Sequence, residues 1–241
     1  TIERVKLFFG KENKATMTLE LFYPSGLEEA KPVFMTQWNH RSWIGIGLRR
    51  GYIGCRYAAA DAKDDTKNYK DLYPDYSFMR LMQRAWGATA VVSYLHSRAI
   101  VDTNKIAISG HSRNGKQSMY VAAYDDRVDA VIPSSSGFGG IKASRLCDRR
   151  FSPHTMAHTF HDFPDWFSHD LKKFVGHEDK LPVDMNSLVA IVAPRPCLLN
   201  AGIFDLYGDT YGLEQTYESA KKVYRFLNAP GHLQIRQVIT R

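Results

Sequence analysis

Ser112, with Arg113 beside it and Lys116 one helical turn on, forms the group of residues best suited to chemistry in this chain; all three stand in IAISGHSRNGKQS, residues 106–118. A serine hydroxyl is a weak nucleophile at neutral pH. It needs a base within reach and donors for the oxyanion that its attack creates. Four β-prone residues run up to Gly110, and the segment QSMYVAAY after Lys116 reads as helix. The serine is therefore expected at the tip of a sharp strand-to-helix turn. There the N–H of Arg113 points back over the helix N-terminus towards any oxyanion. Glycines at 110 and 115 let that helix pass close to the strand. The spacing is Gly-x-Ser-x-x-Gly, and its specificity comes from the strand before it and the helix after it.

In a parallel sheet the strands end on one edge, so partners for Ser112 are sought just past other strands. An acid has to orient the histidine base and stabilise its cation. Past the strand at 127–136 stand only Ser134, Ser135 and Ser136, whereas Asp205 and Asp209 follow the strand at 196–204. Asp205, the first residue off that strand, is the expected acid, with Asp209 in reserve; the alternative is that both cap the loop or the next helix. The order serine, acid, histidine places the base after the last strand, and therefore beyond Arg241. His232 precedes that strand, and seven extended residues span about 23 Å, so it fails on distance. His154 and His158, with Asp162 near, have a spacing that metal ligands can share on one helix face. Polar packing is the simpler reading, and no metal or cofactor is expected. The loop at 37–40 should supply a second oxyanion donor, with His40 in the site wall. Arg113 could hold developing negative charge, and Lys116 could meet hydroxyls or a carboxylate of the substrate.

The elements that must position these residues follow from patterning. At 241 residues and 44% hydrophobic, the chain can bury the core of one α/β domain. Segments VKLFF and ATMTLELFY read as an antiparallel pair, and PVFMTQWNH and GYIGCRYAAA as strands buried on both faces. Residues 76–99 repeat apolar positions at three and four, which predicts an amphipathic helix. The run DAKDDTKNYKD is expected to be a solvated loop. Residues 137–181 read as a long irregular insertion, 185–192 and 212–228 as helices, and 233–240 as a final strand. Alternating strands and helices imply a parallel sheet covered on both faces. The net charge of +7 is scattered, which argues against a nucleic-acid stripe, and no run of 18 apolar residues could span a membrane. Cys55, Cys147 and Cys197 lack metal-ligand spacing; Cys55 and Cys197 read as buried thiols.

Taken together, GHSRNGK, SRLCDRR, FPDWF, LPVD and APRP resemble the glucuronoyl esterases of carbohydrate esterase family fifteen and their bacterial relatives, from about Lys31 to Gln237. The resemblance implies an α/β-hydrolase three-layer sandwich, a metal-free serine triad and hydrolysis of a (4-O-methyl-)glucuronoyl ester of xylan-type hemicellulose. An acetyl-xylan esterase, or an inactive glycan-binding relative, would share the same motifs. Position by position, it implies Ser112 as nucleophile, Arg113 as oxyanion helper and Lys116 as a sugar-hydroxyl ligand. His111, next to them in the substrate pocket, replaces a disulfide-forming cysteine of fungal members. The fungal glutamate aligns with Ser135, so the likeness to bacterial members again points to Asp205. The tryptophan and glutamate that hold the sugar in fungal members have no counterpart. The family histidine lies beyond Arg241, which implies a single domain lacking its C-terminal end. A cell-wall polymer as substrate implies a secreted or periplasmic protein.

Overall fold

Strand and helix segments assemble into one eight-stranded sheet in the computed structural model, which describes every residue except 27, 147–153, 206, 208, 240 and 241. In chain order the strands are β1 (Ile2–Phe9), β2 (Ala15–Phe22), β3 (Lys31–Gln37), β4 (Ile53–Tyr57), β5 (Ala59–Ala60), β6 (Lys63–Asp64), β7 (Val101–His111), β8 (Ala130–Ser134), β9 (Cys197–Gly202) and β10 (Leu233–Val238). The helices are α1 (Arg41–Leu48), α2 (Tyr69–Leu72), α3 (Arg80–His96), α4 (Arg113–Tyr124), α5 (Met156–Asp162), α6 (His169–Lys172), α7 (Met185–Val192) and α8 (Thr210–Phe226). Across the main sheet the order is β1-β2-β4-β3-β7-β8-β9-β10, while β5 and β6 form a separate small hairpin. β1 and β2 pair antiparallel, β2 runs antiparallel to β4, and the rest is parallel. The chain thus has the mostly parallel, helix-flanked sheet expected of an α/β hydrolase.

Side-chain alternation decides which face is dry. Val33, Met35, Cys55, Ile106, Ile108, Val131 and Leu199 are buried in one core with α3, α4, α7 and α8. α3 enters it through Leu81, Ala85, Ala88, Val92 and Leu95, spaced at three and four as the sequence predicts. The alternate residues Phe34, Ala107, Ile132 and Leu198 are only half-buried. Helix α1 packs on β3 and β4 on that side, and Trp43 and Ile46 line a groove with Phe34, Ala107 and Ile132. Coverage of the two faces is therefore unequal.

Two expectations need correction. Residues 61–71 are not simply a solvated loop. Asp61 and Asp64 ion-pair with Arg84, which is 1% exposed, at 3.0 and 2.7 Å, and Tyr69 is fully buried. The segment 137–181 is not irregular throughout, because α5 and α6 lie within it, each started by a capping hydroxyl: Thr155 accepts from His158 N, and Ser168 from Asp170 N. α5 starts at Met156, so His154 lies before it and does not share a helical face with His158. Cys55 and Cys197 are buried free thiols; Cys147 and the latter part of SRLCDRR lie outside the described residues. Among the described residues no helix is long and apolar enough to cross a membrane.

Candidate active site

β7 ends at His111 and α4 begins at Arg113, so Ser112 makes the turn alone, at φ 56° and ψ −124°. A non-glycine residue at this φ stores strain, which persists only where its surroundings fix it. Ser112 N donates to Ser134 O on β8 at 2.9 Å, and Ser112 O accepts from Lys116 N at 3.1 Å. A Cβ on Gly115 would stand 2.9 Å from that same Ser134 O and 3.0 Å from Gly110 O, so the helix approaches both strands only because this residue is glycine. The first-turn N–H groups of Arg113, Asn114 and Gly115 have no carbonyl within the helix to bond, and they direct positive potential at the exposed serine. Among the described residues no side chain hydrogen-bonds the Ser112 hydroxyl.

The guanidinium of Arg113 lies 4.8 Å from the ring centre of Trp166 and 5.2 Å from that of Phe163, and its Nη1 donates to Asp61 Oδ2 at 2.6 Å. Phe163 and Trp166 stack on each other at 3.9 Å. FPDWF in the insertion thus forms an aromatic wall beside the elbow. Lys116 is buried, donates to Ser136 O, and lies 5.8 Å from Trp166. Burial above all, then the charges of Lys142 and Arg113, push its ammonium down to about 7, against a smaller opposing pull from Asp205. Its charge is therefore poised to change near neutrality. His154, buried close by, is held neutral, its pKa pushed down to about 3 by burial first and then by Lys116, Lys142 and His158.

The two candidate acids separate by what they already hold. Asp209, at φ 45°, caps α8 by accepting from Gly212 N at 3.2 Å, and its second oxygen lies 3.0 Å from Lys142 Nζ, with both side chains buried. The capping alternative describes this residue. Asp205 is half-buried; its Oδ1 accepts from Tyr207 N at 3.0 Å, while its Oδ2 takes no part in a hydrogen bond among the described residues. At Ser135, φ is 44° and the backbone N donates to Asn200 O at 2.7 Å.

His40 closes the short turn Trp38–His40 after β3 and stacks on Trp43 at 4.3 Å. Its Nε2 accepts from Asn114 Nδ2 at 3.0 Å and from His111 N at 3.5 Å. Burial, then His111, push it down to about 4, so it is a neutral acceptor that ties the loop after β3 to the elbow. His111 itself is exposed at the strand end. Gln37 faces inward and donates to Tyr57 OH and Ser118 Oγ, both at 2.8 Å, so its side chain is committed to the core. His232 Nδ1 donates to Pro194 O at 2.6 Å, ahead of β10 and at the opposite edge of the sheet from the elbow. Sequence reading missed Asp61, Arg84 and Lys142; their ion-pair partners named above lie 20 to 67 residues away, and no local pattern marks them.

Comparison with known proteins adds the following. The family model for fungal glucuronyl esterases matches residues 9–228. Carbohydrate esterase MZ0003 from an unknown prokaryotic organism is 37% identical over 285 residues, covering 95% of this chain and 65% of its own. A 4-O-methyl-glucuronoyl methylesterase of Phanerochaete carnosa is 32% identical over 201 residues, covering 77% of this chain and 48% of its own. The chain thus spans about half to two thirds of these relatives. Among solved structures, a promiscuous esterase of carbohydrate esterase family 15 from a marine bacterial metagenome superposes with a TM-score of 0.83 at 24% identity, over 98% of this chain and 76% of that one. A mutant glucuronoyl esterase of Sporotrichum thermophile, in complex with methyl 4-O-methyl-β-D-glucopyranuronate, superposes at 0.82 with 19% identity, over 100% and 70%. Both likenesses concern the fold.

Proposed function

The chain belongs to the glucuronoyl esterase family, and we propose that the protein hydrolyses a glucuronoyl ester of a xylan-type hemicellulose by serine catalysis. The observation that carries this reading is the exposed, left-handed Ser112 between β7 and α4, with a helix N-terminus, Arg113 and Lys116 around it.

Ser112 Oγ attacks the ester carbonyl and its proton passes to a histidine acting as general base. Asp205 orients that histidine through its uncommitted oxygen. First-turn N–H groups of α4 and the Arg113 guanidinium receive the oxyanion. The alcohol leaves with the proton, and water then cleaves the acyl-enzyme to give the uronic acid and restore the serine. Lys116, buried at rest with its Nζ on Ser136 O, turns to meet the sugar hydroxyls, with His111 at the rim. No step calls for a metal. Because cell-wall polymers do not enter cells, we place the protein outside the cytoplasm.

The test is Ser112→Ala assayed on a benzyl glucuronate ester and, in parallel, on acetylated xylan. Loss of the first activity supports the reading; turnover near wild type ends it. Serine-dependent release of acetate without glucuronate ester cleavage would instead make it an acetyl-xylan esterase.

A further inference from the structure

Arg113 does not stand alone at the elbow. Its Nη1 donates to Asp61 Oδ2 at 2.6 Å, and the other oxygen of Asp61 accepts from Arg84 Nη2 at 3.0 Å. Arg84 Nε in turn donates to Asp64 Oδ2 at 2.8 Å, and Asp64 Oδ1 takes Thr66 N at 3.0 Å and Thr66 Oγ1 at 2.6 Å. The line from Thr66 through Asp64, Arg84 and Asp61 to Arg113 holds two cations and two carboxylates, so its formal charge is balanced. Arg84 and Asp64 are 1% and 2% exposed, whereas Asp61 is 48% exposed. The network is rooted in the core and ends at the surface beside Ser112.

The hairpin that carries Asp61 is fixed from two further directions. Gln117 of α4 donates to Ala59 O at 2.9 Å, and Ala62 N donates to Asn39 Oδ1 at 3.2 Å, in the turn after β3. An arginine on a first helical turn has many rotamers, and a donor for a transient oxyanion is effective only if its position is set beforehand. Here the carboxylate fixes one edge of the guanidinium, and the Phe163–Trp166 stack lies against it.

We propose that Asp61, anchored by Arg84, is a positioning residue that sets the Arg113 guanidinium for the oxyanion. This rests on the esterase reading of Ser112. It accounts for a half-exposed acid held between two arginines, one of them buried on Asp64.

The experiment is a double-mutant cycle on the full-length protein: Asp61→Ala, Arg113→Ala and the pair, each followed by kcat and KM on a glucuronate ester and by the rate at which a fluorophosphonate labels Ser112. Asp61 is exposed enough for its alanine variant to fold. The expected result is that Asp61→Ala lowers kcat and labelling about ten-fold with KM little changed, that Asp61→Asn recovers part of the loss, and that Asp61→Ala has no further effect once Arg113 is gone. Wild-type rates in Asp61→Ala, wild-type rates in Arg113→Ala, or an undiminished Asp61 effect in the Arg113→Ala background would each overturn the proposal. If wild type labels at Ser112 but cleaves no glucuronate ester, the substrate reading fails while the labelling cycle still decides the network. No labelling at Ser112 overturns both.

Discussion

Gly115→Ala should slow the reaction about ten-fold while the protein stays folded. The added Cβ would sit 2.9 Å from Ser134 O, 2.9 Å from Ser136 Cβ and 3.0 Å from Gly110 O, against 3.4 Å or more for ordinary contact. Relief needs a shift of about half an ångström between α4 and the strands, and overpacking of this kind costs about 1–3 kcal/mol. Alanine recovers about 1 kcal/mol of helix propensity. The net loss is about 0–2 kcal/mol, or a fall in Tm of up to about 8 °C for a chain of this size. Ser134 O is also the acceptor that fixes Ser112 N, so the displacement is delivered to the nucleophile itself. A misplacement of 1 Å can cost about a hundred-fold in rate, and half of it, on a linear scale, about ten-fold. Urea unfolding and the rate of fluorophosphonate labelling of Ser112 measure the two effects separately. Gly45→Ala in α1, where a Cβ meets nothing within 4 Å, is the control and should stabilise by up to about 1 kcal/mol without changing the rate. A Gly115→Ala protein with wild-type stability and labelling would refute the argument that close approach sets the elbow.

Asp205→Asn should lower turnover by about 10⁴ with little loss of stability, since it leaves a histidine without its orienting charge. Asp209→Asn keeps a capping oxygen but removes the carboxylate 3.0 Å from buried Lys142 Nζ, and should cost about 1–3 kcal/mol in urea unfolding; the reverse pattern would make Asp209 the catalytic acid. Lys116→Met should be more stable than wild type at pH 6, with the advantage shrinking towards pH 10. The native ammonium titrates at about 7, whereas in the unfolded chain it keeps its ordinary value of about 10.4. Between these the unfolded chain binds more protons, so wild-type stability rises with pH across that window and the penalty is largest below it. Urea midpoints at three pH values decide; a gain independent of pH would show that Lys116 is not desolvated.

What could be read in the sequence was what depends on near neighbours. The elbow was visible because Gly110, Ser112 and Gly115 stand between a β-prone run and a helix, and α3 because its apolar residues recur at helical spacing. Asp209 was legible as a possible cap, but its ion pair with Lys142 joins residues far apart in the chain. The acidic run at 61–65 looked solvated because Arg84 and Arg113, which turn it inward, arrive on two later helices. α5 and α6, seven and four residues long, are too short to show a period and exist by virtue of single hydroxyl caps.

The lopsided clothing of the sheet has a consequence for how this chain tolerates change. Along these strands, neighbouring positions live in different solvents: Met35 and Ile108 are wholly buried, while Phe34 and Ile132 line the open groove beside α1. Trimming a methyl group at the former leaves a dry void that nothing refills, whereas at the latter water moves in and softens the loss. Substitution should therefore be punished at every second residue of these strands and forgiven at those between.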